Sequence, residues 1–131
     1  MDEPIWISRA ILEAMHSDQI RAHGGQPGLR NLGLLESALA RPQNTWTYQP
    51  DVDLAALAAE YAFGLIKNHA FLDGNKRIGF VAANVFLILN GQEIDVPETE
   101  AVETVLRVAE GTLDRDGLAD WIRRSLKDYT E

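Results

Sequence analysis

Two apolar stripes at helical spacing, one on either side of a short polar run, limit the folds open to this chain more than any other feature. Leu54, Leu57, Ala58, Tyr61, Ala62 and Leu65 share one face, as do Ile78, Val81, Ala82, Val85 and Leu89. Both follow the 3.6-residue period of helices that bury one side. Phe80, Phe86 and Ile88 lie off the second stripe and are also apolar, so that helix is expected to be enclosed on most sides and central to the fold.

The rest of the chain repeats one local device. Ser8, Asp53 and Asp114 can each accept from the first free N–H groups of a helix, with an apolar residue before and another four positions into it. The flanking pairs are Ile7 with Leu12, Val52 with Leu57, and Leu113 with Leu118. Asn31 is a fourth cap, opening a short helix with Leu32, Leu35 and Leu39 on one face that Pro42 is expected to end. Residues 41–50 then read as a polar, Trp- and Tyr-containing loop. Further helices are expected over about 98–110, closed by Gly111, and over about 115–126. Strand signals are limited to short pieces such as 5–7 and 93–96. The expectation is an all-α, compact single-domain bundle of about six helices around a central buried helix, spanning 1–131 without internal repeats.

Charge and composition remove several function classes. Twelve Lys and Arg against twenty Asp and Glu leave a net charge of −8, a field that repels nucleic acid and anionic lipid. No direct nucleic-acid binding is expected. With no cysteine there is no disulfide framework, thiolate zinc site or Cys nucleophile. The apolar stretches fall short of the ~20 residues of a membrane span. Asp2 and Glu3 oppose the basic start of a secretory signal. A cytoplasmic protein with no membrane association is the expectation.

Chemistry concentrates in residues 67–77, Lys67-Asn68-His69-Ala70-Phe71-Leu72-Asp73-Gly74-Asn75-Lys76-Arg77, between the two apolar helices. Asp73 is positioned to cap the next helix, but four residues on stands Arg77, where the other Ser- and Asp-capped helices have leucine. Lys76 and Arg77 thus occupy a first helical turn, where cations oppose the positive end of the helix dipole. Such a local conflict is expected where an anion supplies the compensation. The N–H groups of Gly74, Asn75, Lys76 and Arg77 would face outward there, a site suited to phosphate. Gly74 lets a ligand approach the backbone closely, and the two cations add charge-assisted bonds to phosphate oxygens. Asp73 could hold Mg²⁺ through one carboxylate, with nucleotide phosphates and water completing the shell. His69 suits a general base. Lys67, two residues before it, either reaches the nucleotide or lies on the surface.

The string from His69 to Arg77 resembles the signature of the Fic/Doc family, H-x-F-x-[DE]-G-N-[GK]-R, at all seven specified positions. In particular it looks like the Doc, or death-on-curing, toxin branch. Gly24-Gly25-Gln26-Pro27-Gly28-Leu29-Arg30, Leu34-Leu35-Glu36-Ser37-Ala38-Leu39, Asn90-Gly91 and Ala109-Glu110-Gly111-Thr112-Leu113-Asp114 are Doc-like as well. The resemblance implies a helical protein that transfers part of a nucleotide to a protein hydroxyl. In it His69 would deprotonate the acceptor, Asp73 bind Mg²⁺, and Gly74, Asn75 and Arg77 hold phosphates.

Lys76 separates the branches. AMP-transferring members usually have Gly there, whereas Doc toxins have Lys, which implies ATP held in the reversed sense with its γ-phosphoryl facing the acceptor. The implied activity is phosphorylation of a threonine of bacterial elongation factor Tu, arresting translation, by the toxin of a type II toxin-antitoxin pair. A Fic-type AMP transferase and a catalytically silent antitoxin-binding module are the alternatives.

Ala70 stands where many relatives have Pro. The inhibitory [ST]-x-x-x-E-[GN] segment of many Fic proteins is not matched: Thr104 follows Glu103 in the frame of Thr99, and Leu106 occupies the Ser/Thr position of the frame ending Glu110-Gly111. The resemblance therefore implies control by a separate antitoxin, whose C-terminal segment lies in a groove on the toxin. His16 and His23 read as structural or exposed, and Trp6, Trp46 and Trp121 as core or groove-lining.

Overall fold

A computed structural model of the chain describes residues 2–130. Six helices run in the order α1 (Arg9–His23), α2 (Leu32–Tyr48), α3 (Leu54–Asn68), α4 (Asn75–Leu89), α5 (Glu98–Glu110) and α6 (Arg115–Arg124). Two three-residue strands, β1 (Gln92–Ile94) and β2 (Leu126–Asp128), pair antiparallel with Glu93 opposite Lys127. The all-α expectation holds, with that ribbon as a minor addition. Residues 5–7 form no strand. Ile7 N–H instead donates to Tyr61 Oη (3.0 Å), and Asn90 brackets Ile5 with a bond to each of its backbone groups.

The four capping side chains act as the sequence indicates. Ser8 accepts from Ile11 N, Asn31 from Leu34 N, Asp53 from Ala56 N and Asp114 from Gly117 N. Beneath three of these caps, Leu12, Leu57 and Leu118 are all buried. α5 closes on Gly111 in the left-handed conformation, φ 85°.

Three expectations are corrected. Pro42 does not end α2, which continues to Tyr48, so 41–48 is helix rather than loop. Pro42 is fully buried, and the turn beyond it brings Thr45 to Glu60 and packs Trp46 edge-on to Trp6. That burial offsets the missing N–H. The most enclosed helix is α3, not α4. Ala55, Ala58, Ala59, Ala62 and Gly64 let neighbours close on α3 from several sides, whereas Phe80 and Ile88 of α4 are only half-buried. The last helix stops at Arg124, and Leu126 begins β2.

α6 is fastened to the start of α3 by Arg123, whose guanidinium donates to both oxygens of Asp53 (2.6 and 3.0 Å). The Arg123 fork, outweighing burial and helped by Ala56 N–H, holds the Asp53 carboxyl below its usual 3.8. A carboxyl depressed in the folded state contributes stability that is complete above its unfolded value and lost as pH falls through the folded one. Asp53→Ala is therefore expected to cost about 0.5–2 kcal/mol at neutral pH. The difference in urea midpoint from wild type should shrink as pH falls below the unfolded value of 3.8 and through the lowered folded one. An undiminished difference in acid would mean that the charge is irrelevant.

α3 and α4 lie antiparallel and in close contact. At Gly79 an added methyl would sit 2.7 Å from Ile66 Cγ1. Their connection, residues 69–74, is buttressed by the segment between α1 and α2. Leu29 bridges Phe71, Leu72 N donates to Gly28 O (3.0 Å), and Arg30 N and Asn31 N donate to Ala70 O.

Candidate active site

α3 ends on His69 with φ 52° and ψ 49°, the one non-glycine residue with positive φ among those described. The unusual turn is held from outside. Arg30 Nε donates to His69 O (2.7 Å) and its Nη2 to Asn68 O (3.1 Å), placing a cation on the carbonyl end of α3, where the helix dipole favours it. The His69 side chain is left exposed.

Asn75 organises the inside of the loop. It is 4% exposed; Oδ1 accepts from Phe71 N and Nδ2 donates to Phe71 O, both at 3.0 Å. Those two bonds fix the amide's orientation, so Nδ2 also faces His69 Nδ1 as a donor, at 3.3 Å. The neutral ring that pairs with it carries its proton on Nε2, and the long contact leaves Nδ1 only weakly engaged. The Asn75 side chain is thus committed within the loop, and only its backbone N–H is left for a ligand.

Asp73 is not the cap of α4. Gly74 takes that position in the left-handed conformation, φ 77°, with no side-chain cap bond. Asp73 Oδ2 accepts from Gln26 N (3.2 Å) and Oδ1 from Gly74 N (3.0 Å). These two N–H groups, Gln26 first, lower its pKa from the usual carboxylate value, so the exposed group is anionic at neutral pH. Gly25, φ 116°, makes the approach possible, since a methyl there would sit 3.0 Å from Asp73 Oδ2.

With Gly74 N–H spent on Asp73, the free donors at the helix mouth are Asn75, Lys76 and Arg77. The side chains of Lys76 and Arg77 are exposed, and neither forms an ion pair with a described residue. All of this faces a half-open cleft of about 360 Å³, lined by His23, Gly24, Gly25, His69 and residues 72–77.

A family model described as the Fic/DOC family matches residues 6–87, which contain the whole cleft. The chain belongs to the Fic/DOC family. It is 33% identical over 119 residues to "Protein kinase doc" of Escherichia phage P1, covering 90% of this chain and 93% of that one. It is also 39% identical over 102 residues to "Toxin Doc" of Mycolicibacterium smegmatis, covering 75% and 78% respectively. Both relatives bear the Doc name, the branch that Lys76 implies.

Of the residues singled out in this Fic/DOC sequence, the fold gathers His69, Asp73, Gly74, Asn75, Lys76 and Arg77 around one cleft. Lys67 is not among them. Its Nζ lies toward the end of α5, 3.9 Å from where a Gly111 Cβ would stand. The α5 residues Thr99, Glu103, Leu106 and Glu110 do not line the cleft either.

The sequence reading undervalued two residues. Arg30 is marked only by its place in a Gly- and Pro-rich, Doc-like segment. His16 carries a signal of its own, because it continues the buried stripe Leu12, His16, Ile20 at four-residue spacing.

A resident metal site built by protein alone is not what the residues form. Among those described, no three His, Cys, Asp or Glu side chains cluster. Asp73, with one N–H on each oxygen and lone pairs to spare, fits Mg²⁺ that brings phosphate and water ligands with it.

Proposed function

We propose that this chain is a Doc-type toxin that phosphorylates a protein hydroxyl from ATP. The observation that carries the reading is the mouth of α4, where three backbone N–H groups and two cations without partners among the described residues adjoin an exposed imidazole. The names of both relatives support it. Asn75 N–H, Lys76 and Arg77 grip the phosphates, and the helix dipole adds to their charge; the bare Cα of Gly74 makes room for Ile20 and His16 beneath the turn. Mg²⁺ held by Asp73 would neutralise charge building on the transferred group.

His69 accepts the proton of the acceptor hydroxyl. The hydroxyl oxygen bonds to the γ-phosphorus, the bond from that phosphorus to the bridging oxygen breaks, and ADP leaves with the electron pair. Since phosphoryl transfer depends on positioning and electrostatics, the held turn of Arg30, Asn75 and Gly74 is part of the chemistry. Lys76 adds charge and fills the space a glycine would leave, which favours γ- over α-phosphoryl presentation.

A threonine of bacterial elongation factor Tu is the proposed acceptor, translation arrest the result, and an antitoxin bound in a surface groove the control. A cytoplasmic site of action belongs to the same proposal; no described helix is long and apolar enough to cross a membrane.

The test is the intact mass of elongation factor Tu after incubation with the chain, ATP and Mg²⁺. A gain of one phosphoryl group is expected, and Lys76→Gly should remove it. A gain of one adenylyl group by wild type establishes the AMP-transfer alternative. No adduct on that acceptor, with tight antitoxin binding, leaves the silent-module reading.

A further inference from the structure

Four of the six helices begin on a side chain that accepts their first N–H groups, and α4 does not. Its uncapped start is held from beneath by α1. His16 Nε2 lies 2.7 Å from Asp73 O. A carbonyl oxygen only accepts, so Nε2 carries the proton and donates. The ring is 3% exposed and lies flat on Phe71, with centroids 3.7 Å and planes 11° apart. Phe71 is the residue whose backbone groups Asn75 holds. One turn along α1, Ile20 completes the floor: a methyl on Gly74 would meet Ile20 Cδ1 at 3.2 Å and His16 Nε2 at 3.5 Å.

We propose that His16 is a positioning residue for the phosphate site. Its Nε2–H fixes the Asp73–Gly74 peptide, and with it both the aim of the N–H groups of Asn75, Lys76 and Arg77 and the direction of the Asp73 carboxylate. An ordinary helix start is stabilised by a capping side chain that occupies its N–H groups. Support from below stabilises this one and leaves them free. The inference rests on the phosphotransfer reading for its consequence, but the turn it describes exists without ligand.

Two substitutions separate the donor from the bulk. His16→Phe keeps an aromatic ring against Phe71 and removes the donor, and His16→Gln keeps an N–H donor and removes the ring. With elongation factor Tu as acceptor, His16→Phe should raise KM for Mg·ATP roughly tenfold while kcat stays within about threefold, the scale of one lost hydrogen bond. His16→Gln should restore KM to within about threefold of wild type.

Amide hydrogen exchange on the ligand-free protein gives a second reading. Gly74 and Ile78, whose N–H groups donate to Asp73 Oδ1 and Gly74 O, should exchange faster in His16→Phe and near the wild-type rate in His16→Gln. If His16→Phe does not fold, His16→Leu replaces it as the donorless variant. Equal behaviour of the donorless and Gln variants in both measurements overturns the proposal, since His16 would then be packing alone. A wild-type protein that transfers no phosphoryl group overturns the functional reading instead, and exchange at Gly74 and Ile78 then decides the role of His16.

Discussion

Replacing His69 with asparagine is expected to slow phosphoryl transfer about 10²- to 10⁴-fold, the contribution of a positioned general base. Mg·ATP should still bind within a few-fold of wild type. In the proposed site the phosphate donors lie on the first turn of α4 and Asp73 would hold the Mg²⁺, and neither is the imidazole. Asparagine is preferred to alanine because position 69 has φ 52°. The left-handed region costs an ordinary L-residue roughly 1–2 kcal/mol, and Asn tolerates it through local hydrogen bonding. Alanine would therefore mix a folding loss with the catalytic one. Single-turnover transfer to elongation factor Tu, alongside calorimetric titration of Mg·ATP into each protein, reads the two effects apart. Transfer by His69→Asn within tenfold of wild type would remove His69 from the role of base. Lost nucleotide binding with an intact fold would make it a phosphate ligand.

What could be read from the sequence is what short-range chemistry decides. Each of Ser8, Asn31, Asp53 and Asp114 lies within three residues of the N–H it binds, so the cap and the helix behind it are local facts. The conflict at Lys76 and Arg77 was legible for the same reason, and the structure places both on an exposed first turn.

The misjudged elements depend on partners far along the chain. Pro42 interrupts an intrahelical bond, at roughly 3 kcal/mol, and by local rules ends a helix. It does not because Trp46 finds Trp6, forty positions earlier, and Thr45 finds Glu60 on α3. Asp73 reads as a cap until Gln26, forty-seven residues away, takes one of its oxygens and Gly74 adopts the left-handed turn. The centre of the bundle was assigned to the helix with the bulkier apolar surface. Burial on several sides instead went to α3, whose alanines and Gly64 allow close approach. In the sequence His16 reads only as structural or exposed, and Arg30 only as part of a Doc-like segment, because their bonds to residues 68, 69 and 73 span 38 to 57 positions.

The second large effect is expected away from the cleft, where α2, α3 and α6 meet around Glu60. Its side chain is 5% exposed, with Arg115 Nε 3.1 Å from Oε1, Arg41 Nε 3.5 Å from Oε2, and Thr45 Oγ1 donating to Oε2 at 3.1 Å. Glu60 Oε1 and Arg41 Nε have no hydrogen-bond partner among the described residues, so the two ion pairs act through charge more than through directed bonds. The burial is lopsided: the Arg41 and Arg115 side chains are 32% and 50% exposed. Removing Glu60 leaves two cations that can turn to water. Removing both arginines leaves a buried carboxylate with a single hydroxyl donor.

The double variant Arg41→Met with Arg115→Met should therefore lose about 3–5 kcal/mol, as breaking a buried pair from one side does. Against a typical total of about 5–15 kcal/mol, that is a large share of the stability of a domain this size. Arg41 also stands 5.3 Å from the Phe63 ring centroid, which at a partly exposed site adds only about 0.5–1 kcal/mol and does not change the ranking. Adding Glu60→Met should recover most of the loss, because an apolar group of similar volume needs no counter-charge. Urea unfolding at neutral pH measures all three proteins, the midpoint shifting at constant slope if only stability changes. A double variant within about 1 kcal/mol of wild type would show that the Glu60 carboxylate needs neither cation. A triple variant no better than the double would show that the arginine stems, Arg41's lying against Gly64 of α3, matter more than their charge.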